Sequence, residues 1–311
     1  MALLALAARH GPLVLVAGLL AGVFLPDLGA MMRTQIPLLV AVLLFVSALQ
    51  MDPRDILQAP KELPSNLLAV LALQLAIPLG IVLAAHGLGL AATPVVLALV
   101  LMSAAPSIVG SPNICLMMGV DPAHALRLMV TGTALLPLTV LPVFWLLPGM
   151  EGGAAVLWAS VRLLATVVIC TLAAQTVRRW LFPAPTPQTK HALQGASAIS
   201  LAVFVIGLMP AARDVALQAP ARLVFWLAVA FAVNIGGQWL ARIITRHRLP
   251  RARSVSVSVI AGNRNIALFL ISLPAAVTDP VLAFIACYQI PMYLTPILMR
   301  RVYALRATPT G

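Results

Sequence analysis

Arg264 stands in the run Gly262-Asn263-Arg264-Asn265, and no other charged residue lies between positions 254 and 277. A guanidinium stays charged and presents a rigid fork of N–H donors that fits carboxylates and similar oxyanions. Near mid-bilayer an arginine costs from about 3 to over 10 kcal/mol unless it faces a cavity or finds partners. Arg264 is therefore a candidate anion-binding residue. Polar residues in other apolar stretches could contribute to the same site. These are Gln74, Ser111, Asn113, Asn234 and Gln289, with Asn263 and Asn265 beside the arginine itself. Each amide could equally be interhelical glue worth ~0.6–2 kcal/mol. Arg264 could likewise pair with backbone carbonyls alone and be structural. Tyr288 and Tyr293 flank Gln289 and either line the same space or pack.

Acid–base chemistry has no comparable candidates. All eight carboxylates and all five histidines fall at the ends of apolar segments or between them. There is no HExxH, aspartate-rich or phosphate-loop motif. Cys115, Cys170 and Cys287 lack metal-ligand spacing and read as small packing residues. No catalytic residue, metal site or cofactor is expected, and the chain does not read as an enzyme.

The elements that carry these residues must lie in a bilayer. The chain is 62% hydrophobic and 9% charged over 311 residues, against roughly 25% charged in soluble domains. Ten apolar segments can be drawn, at 11–29, 35–51, 63–85, 94–119, 122–147, 154–177, 191–210, 220–244, 254–277 and 280–303. All approach or exceed the ~20 residues that span a membrane. With ten spans, Arg33, Arg162, Arg213 and Arg222 face one side, and every other basic residue except Arg264 faces the side of the termini. The positive-inside rule then puts both termini in the cytoplasm of a multi-pass inner-membrane protein. The net charge of +12 reflects this topology, not nucleic-acid binding.

The two halves, 1–150 and 151–311, echo each other. Phe45-Val46 and Phe204-Val205 each precede an Arg-Asp pair at one offset, Arg54-Asp55 and Arg213-Asp214. Gln74 and Asn234 follow Pro60 and Pro220 at the same spacing. Asn113-Ile114 answers Asn265-Ile266, and Pro137 and Pro142 answer Pro291 and Pro296. A repeat of five spans must be inverted relative to the other, a pattern that goes with midplane binding sites. Two segments carry helix-breaking signals at matching places. Gly110 can end a half-helix in a left-handed conformation, with Ser111 as cap and Pro112 in the first turn of the next. Gly262 can end another, with Asn263 capping the half-helix after it. Two half-helix N-termini meeting near the midplane would favour an anion.

The Gly262-x-x-Asn265 break, Pro112-Asn113, the run Pro137-Leu138-Thr139-Val140-Leu141-Pro142 and Gln74 together resemble the bile acid:sodium symporter family. The resemblance covers most of the chain, most strongly 101–147 and 254–300. It implies an all-α protein of ten transmembrane helices in two inverted five-helix repeats. A core domain (63–147 and 220–303) and a panel domain (11–51 and 154–210) would hold substrate between them, with helices four and nine broken and crossing. It implies alternating-access transport of a bile-acid-like or smaller carboxylate anion, usually with sodium. Asn113, Asn265 and Gln74 would lie at or beside the ion and substrate sites.

The chain departs from that pattern where sodium would bind. Ile260 stands in place of a frequent glutamate, Arg264 in place of a frequent glutamine, and Pro112 in place of a serine; Ala125 and Met129 replace hydroxyl ligands, with Thr131 and Thr133 nearby. Losing a carboxylate and gaining an arginine moves the local charge two units toward positive, against a cation. One reading is a sodium-independent carrier with Arg264 in the ion's place. A second is ordinary sodium coupling through carbonyls and amides. A third, of another class, is a membrane sensor or scaffold that binds without translocating.

Overall fold

The computed structural model describes residues 2–51, 63–150, 153–183 and 185–304, and its regular structure is helical, with no sheet among the described residues. Arg54, Asp55, Pro60, Lys61, Glu62, Glu151 and Arg306 lie outside the described residues. The first part of the chain is short helices: α1 (Ala2–Arg9), α2 (Gly11–Phe24), α3 (Pro26–Thr34) and α4 (Ile36–Gln50). Next come α5 (Leu63–Leu71), a π turn (Ala72–Ala76), α6 (Ile77–Gly87), α7 (Pro94–Ala104), α8 (Ser111–Met117) and α9 (Ala123–Trp145). Three long helices come after these: α10 (Gly153–Leu181), α11 (Pro187–Gln218) and α12 (Pro220–Thr245). The chain continues with α13 (Arg251–Gly262), a 3-10 turn (Ile266–Leu268), α14 (Phe269–Ser272) and α15 (Ala275–Thr278). A 3-10 turn at Asp279–Val281, α16 (Leu282–Leu298) and α17 (Arg300–Ala304) complete it.

Six stretches are long and apolar enough to cross a membrane: Pro64–Gly87, Ala123–Trp145, Gly153–Leu181, Pro187–Gln218, Pro220–Thr245 and Ala275–Leu298. Two bent pairs raise the count to eight: α1 with α2, bent by 96°, and α3 with α4, bent by 74°. The protein is a multi-pass membrane protein. Large apolar side chains point outward, with Trp180 80% and Trp158 73% exposed, as expected of a surface facing lipid and its interface. The expected first span 11–29 is not one helix: the chain turns at Leu25, with Pro26 opening α3.

Local chemistry explains the starts. Pro26, Pro94, Pro112, Pro187 and Pro220 sit in first turns, where a missing N–H leaves no bond unmade. Thr93 Oγ1 caps α7 by accepting from Val96 N at 3.4 Å, and Thr186 Oγ1 caps α11 through Thr189 N at 3.2 Å. Asp121 Oδ1 accepts from Ala123 N at 2.9 Å at the start of α9, the capping role its position suggests.

α11 runs along α1, α2, α3 and α4 and also touches α12 and α16; α10 packs on α4 and α9. Gly22 makes the approach of α2 to α11 feasible, because a Cβ there would stand 2.6 Å from Met209 Cβ. On the other side, α5 packs on α9, and α12 packs on α13 and α16.

Candidate functional site

The segments expected to break do break, and they meet. α7 stops at Ala104 and helix resumes at Ser111; α13 stops at Gly262 and resumes as the turn at Ile266. Between them the two stretches form a short antiparallel bridge, Ser107 against Arg264. Ile108 N donates to Asn263 O at 3.1 Å, and Asn265 N donates to Pro106 O at 2.8 Å. Backbone that leaves a helix at membrane depth is tolerated only where protein or a water-filled cavity supplies its partners, and here the two stretches supply each other. The capping details differ from expectation. Gly110 is right-handed at φ −72° and precedes α8, so it ends no helix in a left-handed turn. Ser111 lies inside α8, accepting from Ser107 Oγ at 2.7 Å. Asn263 caps the end of α13 instead of a following start: its Nδ2 donates to Val259 O at 2.8 Å.

Arg264 is 3% exposed. Its guanidinium donates to three backbone carbonyls: Nη1 to Ala105 O at 3.0 Å, Nε to Ala261 O at 3.4 Å and Nη2 to Leu73 O at 3.4 Å. Ala105 O and Ala261 O belong to the C-terminal ends of α7 and α13, which carry partial negative charge. The arginine therefore meets carbonyl ends, not the convergence of N-termini expected from the breaks alone. Asp27, Asp121, Asp214 and Asp279, the described carboxylates, are all exposed and none neutralises it.

Leu73 O is open to Arg264 for a local reason. In the π turn, Ile77 N donates back to Ala72 O, so it does not reach Leu73. The next residue in that register is Pro78, which has no N–H to give. The orphaned carbonyl is then served from a segment far along the chain.

A buried polar network extends from this point. Tyr288 OH accepts from Arg264 N at 3.3 Å and donates to Gly262 O, which also accepts from Asn234 Nδ2. Gln238 Nε2 donates to Asn234 Oδ1 at 2.8 Å and to Thr295 Oγ1 at 3.1 Å; Thr295 Oγ1 donates to Asn263 Oδ1 at 3.1 Å. Tyr303 OH donates to Gln238 Oε1 at 2.6 Å. Gly262 allows this closeness, since a Cβ there would overlap Asn234 O and Gln238.

The structure thus gathers Arg264, Asn263, Asn234 and Tyr288, with Gln74 one residue from the Leu73 carbonyl. Gln74 is buried and donates through Nε2 to Gly132 O at 3.2 Å. Asn265 is half-buried at the bridge. Gln289 bonds within its own helix, Nε2 to Ile285 O at 3.2 Å, and accepts from Tyr293 OH at 3.1 Å. Ile260 packs in an apolar cluster with Val70, Leu73, Leu128 and Val257. Asn113 is apart from the network and exposed.

Asn113 and Pro112 border two cavities. One, of about 190 Å3, also has Ser47, Gln50, Met51, Met129, Arg178, Lys190 and Gln194 in its walls. The other, of about 250 Å3, has Asp121, Pro122 and Arg127. Arg178 is buried and fixed to the end of α4, Nη1 donating to Leu49 O at 2.8 Å, beside Gln175 Nε2 on Ala48 O at 2.8 Å. Gln238, Thr295 and Tyr303 in the network, and Arg178 and Lys190 in the cavity, are not singled out by sequence reasoning. Gln238 had a signal, one helical turn after Asn234. The two basic residues look like ordinary topology markers at the ends of segments.

Comparison with known protein families and with curated proteins finds no match to this chain.

Proposed function

We propose that this protein is a secondary transporter of a small organic anion, working by alternating access and without sodium. The observation that carries the reading is the cage around Arg264: a buried guanidinium held by three carbonyls at the meeting of two broken helices. Carbonyl ends of interrupted helices are what transporters offer to a coupling cation. Here a covalently attached cation occupies them, so a free one is not needed.

The ten-span, inverted-repeat reading fits the same geometry. The helices that fall short of a full span are the two broken segments, 94–119 and 254–277. Counting each as one crossing with the six long helices and two bent pairs gives ten. The group α5–α9 with α12–α17 then corresponds to a core, and α1–α4 with α10 and α11 to a panel. Both termini would be cytoplasmic.

The test is uptake of a radiolabelled organic anion into proteoliposomes under imposed sodium or potassium gradients. Saturable flux, indifferent to sodium, is expected. Flux that rises steeply with an inward sodium gradient would restore ordinary sodium symport. Specific binding with no flux under any gradient would leave a sensor or scaffold.

A further inference from the structure

We infer that the arginines following two of the long spans form a docking site for an anionic phospholipid. Its phosphate would sit on Arg246, Arg248, Arg251, Arg300 and Arg301, and its acyl chains would lie along α12 and α16. The inference rests on the membrane spans and is independent of the transporter reading.

The two spans Pro220–Thr245 and Ala275–Leu298 end beside each other. Gln238 Nε2 donates to Thr295 Oγ1 at 3.1 Å, and Tyr303 OH donates to Gln238 Oε1 at 2.6 Å, so their C-terminal halves are neighbours. Arg246 and Arg248 come directly after the first span, Arg300 and Arg301 directly after the second. Arg251 joins the two groups. Its Nε and Nη2 both donate to Tyr303 O at 3.4 Å, and Nη2 also donates to Met118 O at 3.4 Å. The excess of basic residues on one membrane face explains the sign of these charges. It does not require segments 52 positions apart to set them together.

These cations are available. Arg248, Arg300 and Arg301 are exposed, and their guanidiniums have no hydrogen bond or ion pair. Arg246 Nε donates to His247 Nε2 at 2.9 Å, with both Nη groups open. α13 begins on Arg251, with no acid in its first turn and no side-chain cap. The N-terminal end of a helix is already positive, so the arginines there repel it and one another until an anion arrives. A phosphate answers this need, because the planar guanidinium fork matches its oxygens.

The apolar surface beside the arginines gives the anion its tails. Trp239, Ile243 and Arg246 stand at i, i+4 and i+7, one column along α12, and Trp239 and Ile243 are exposed. Ile297 and Leu298 are exposed directly before Arg300 and Arg301. A lipid with its phosphate on the arginines lays its chains on these side chains, whereas a soluble phosphate leaves them untouched. Basic clusters just outside a span favour anionic lipid by roughly fivefold per cation.

The experiment is melting of the detergent-purified full chain with phosphatidylglycerol, cardiolipin, phosphatidylcholine or glycerol 3-phosphate, since a ligand of the folded state raises the midpoint. The first two are expected to raise it and the last two are not. Combining Arg248→Gln, Arg300→Gln and Arg301→Gln should remove the rise. Combining Arg179→Gln with Lys190→Gln, two exposed cations at the end of α10 and the start of α11, should leave it intact. Folding of each variant is checked by its midpoint without lipid. A second measurement needs no arginine variant. In vesicles, phosphatidylglycerol with brominated chains should quench Trp239, read as the difference between wild type and Trp239→Phe, more strongly than brominated phosphatidylcholine. Equal rises with phosphatidylcholine, a rise with glycerol 3-phosphate alone, or a rise that survives the triple substitution overturns the site. So does a rise lost equally in the Arg179 and Lys190 pair, which would show net charge acting without a place, or equal quenching by the two brominated lipids.

Discussion

Leu73 and Arg264 lie 191 positions apart, yet the carbonyl of the first accepts a hydrogen bond from the guanidinium of the second. Pro78 leaves that carbonyl without a helical partner, and the arginine supplies one. Arg264→Gln should therefore strand a buried acceptor, whereas Pro78→Ala provides a donor within the same helix. In a double-mutant cycle read by thermal melting, Pro78→Ala should recover part of the loss caused by Arg264→Gln. A coupling of about 0.5–2 kcal/mol is expected; strictly additive effects would show that the two do not share the carbonyl.

Removing the tethered cation should expose the need for a free one. The melting midpoint of Arg264→Gln is expected to rise when sodium chloride replaces choline chloride at equal ionic strength, because ligand binding to the folded state stabilises it. Wild type should not respond. Arg264→Lys, which keeps the charge but not the fork, should fall between them. Sodium responses that are the same in wild type and Arg264→Gln would contradict the cage as a cation site.

Glycine at 262 reflects a close approach to α12, not a backbone twist. Gly262→Ala should destabilise by about 1–3 kcal/mol through overpacking, seen as a lower melting midpoint. Gly236→Ala, where a Cβ meets nothing within 4 Å, should be neutral or stabilising by about 0.5–1 kcal/mol. Similar losses at both positions would argue that α12 tolerates no change at all, and that the contact at 262 is not special.

Tyr303 fastens the last helix to the buried amides. Tyr303→Phe keeps the ring and deletes the bond to Gln238 Oε1, leaving that oxygen buried. The expected cost is about 1–3 kcal/mol, measured by melting in detergent. A phenylalanine variant as stable as wild type would mean that the hydroxyl adds nothing to the network.

How far each feature is legible in the sequence depends on what it is made of. The breaks at Pro112 and Gly262 are legible because glycine and proline act on the backbone directly. The burial of Arg264 follows from its apolar surroundings. Its partners do not, because carbonyl oxygens carry no residue identity and any segment can offer them. The same ambiguity hides Gln238 and Thr295, whose side chains in an apolar helix read equally well as glue. The turn at Leu25 has a proline after it, but a continuous apolar run masks the signal. Arg178 and Lys190 are hidden for the opposite reason: a basic residue at a membrane boundary already has a sufficient explanation.

The bridge between 106–108 and 263–265 has a mechanical consequence. Its two bonds join main chain to main chain, Ile108 N to Asn263 O and Asn265 N to Pro106 O. Pulling one broken segment away from the other would leave four polar groups bare, so the pair travels as a single rivet. Any displacement within the molecule must then be taken up outside this bridge. And because the rivet is made of main chain, replacing the side chains on it does not by itself remove either bond.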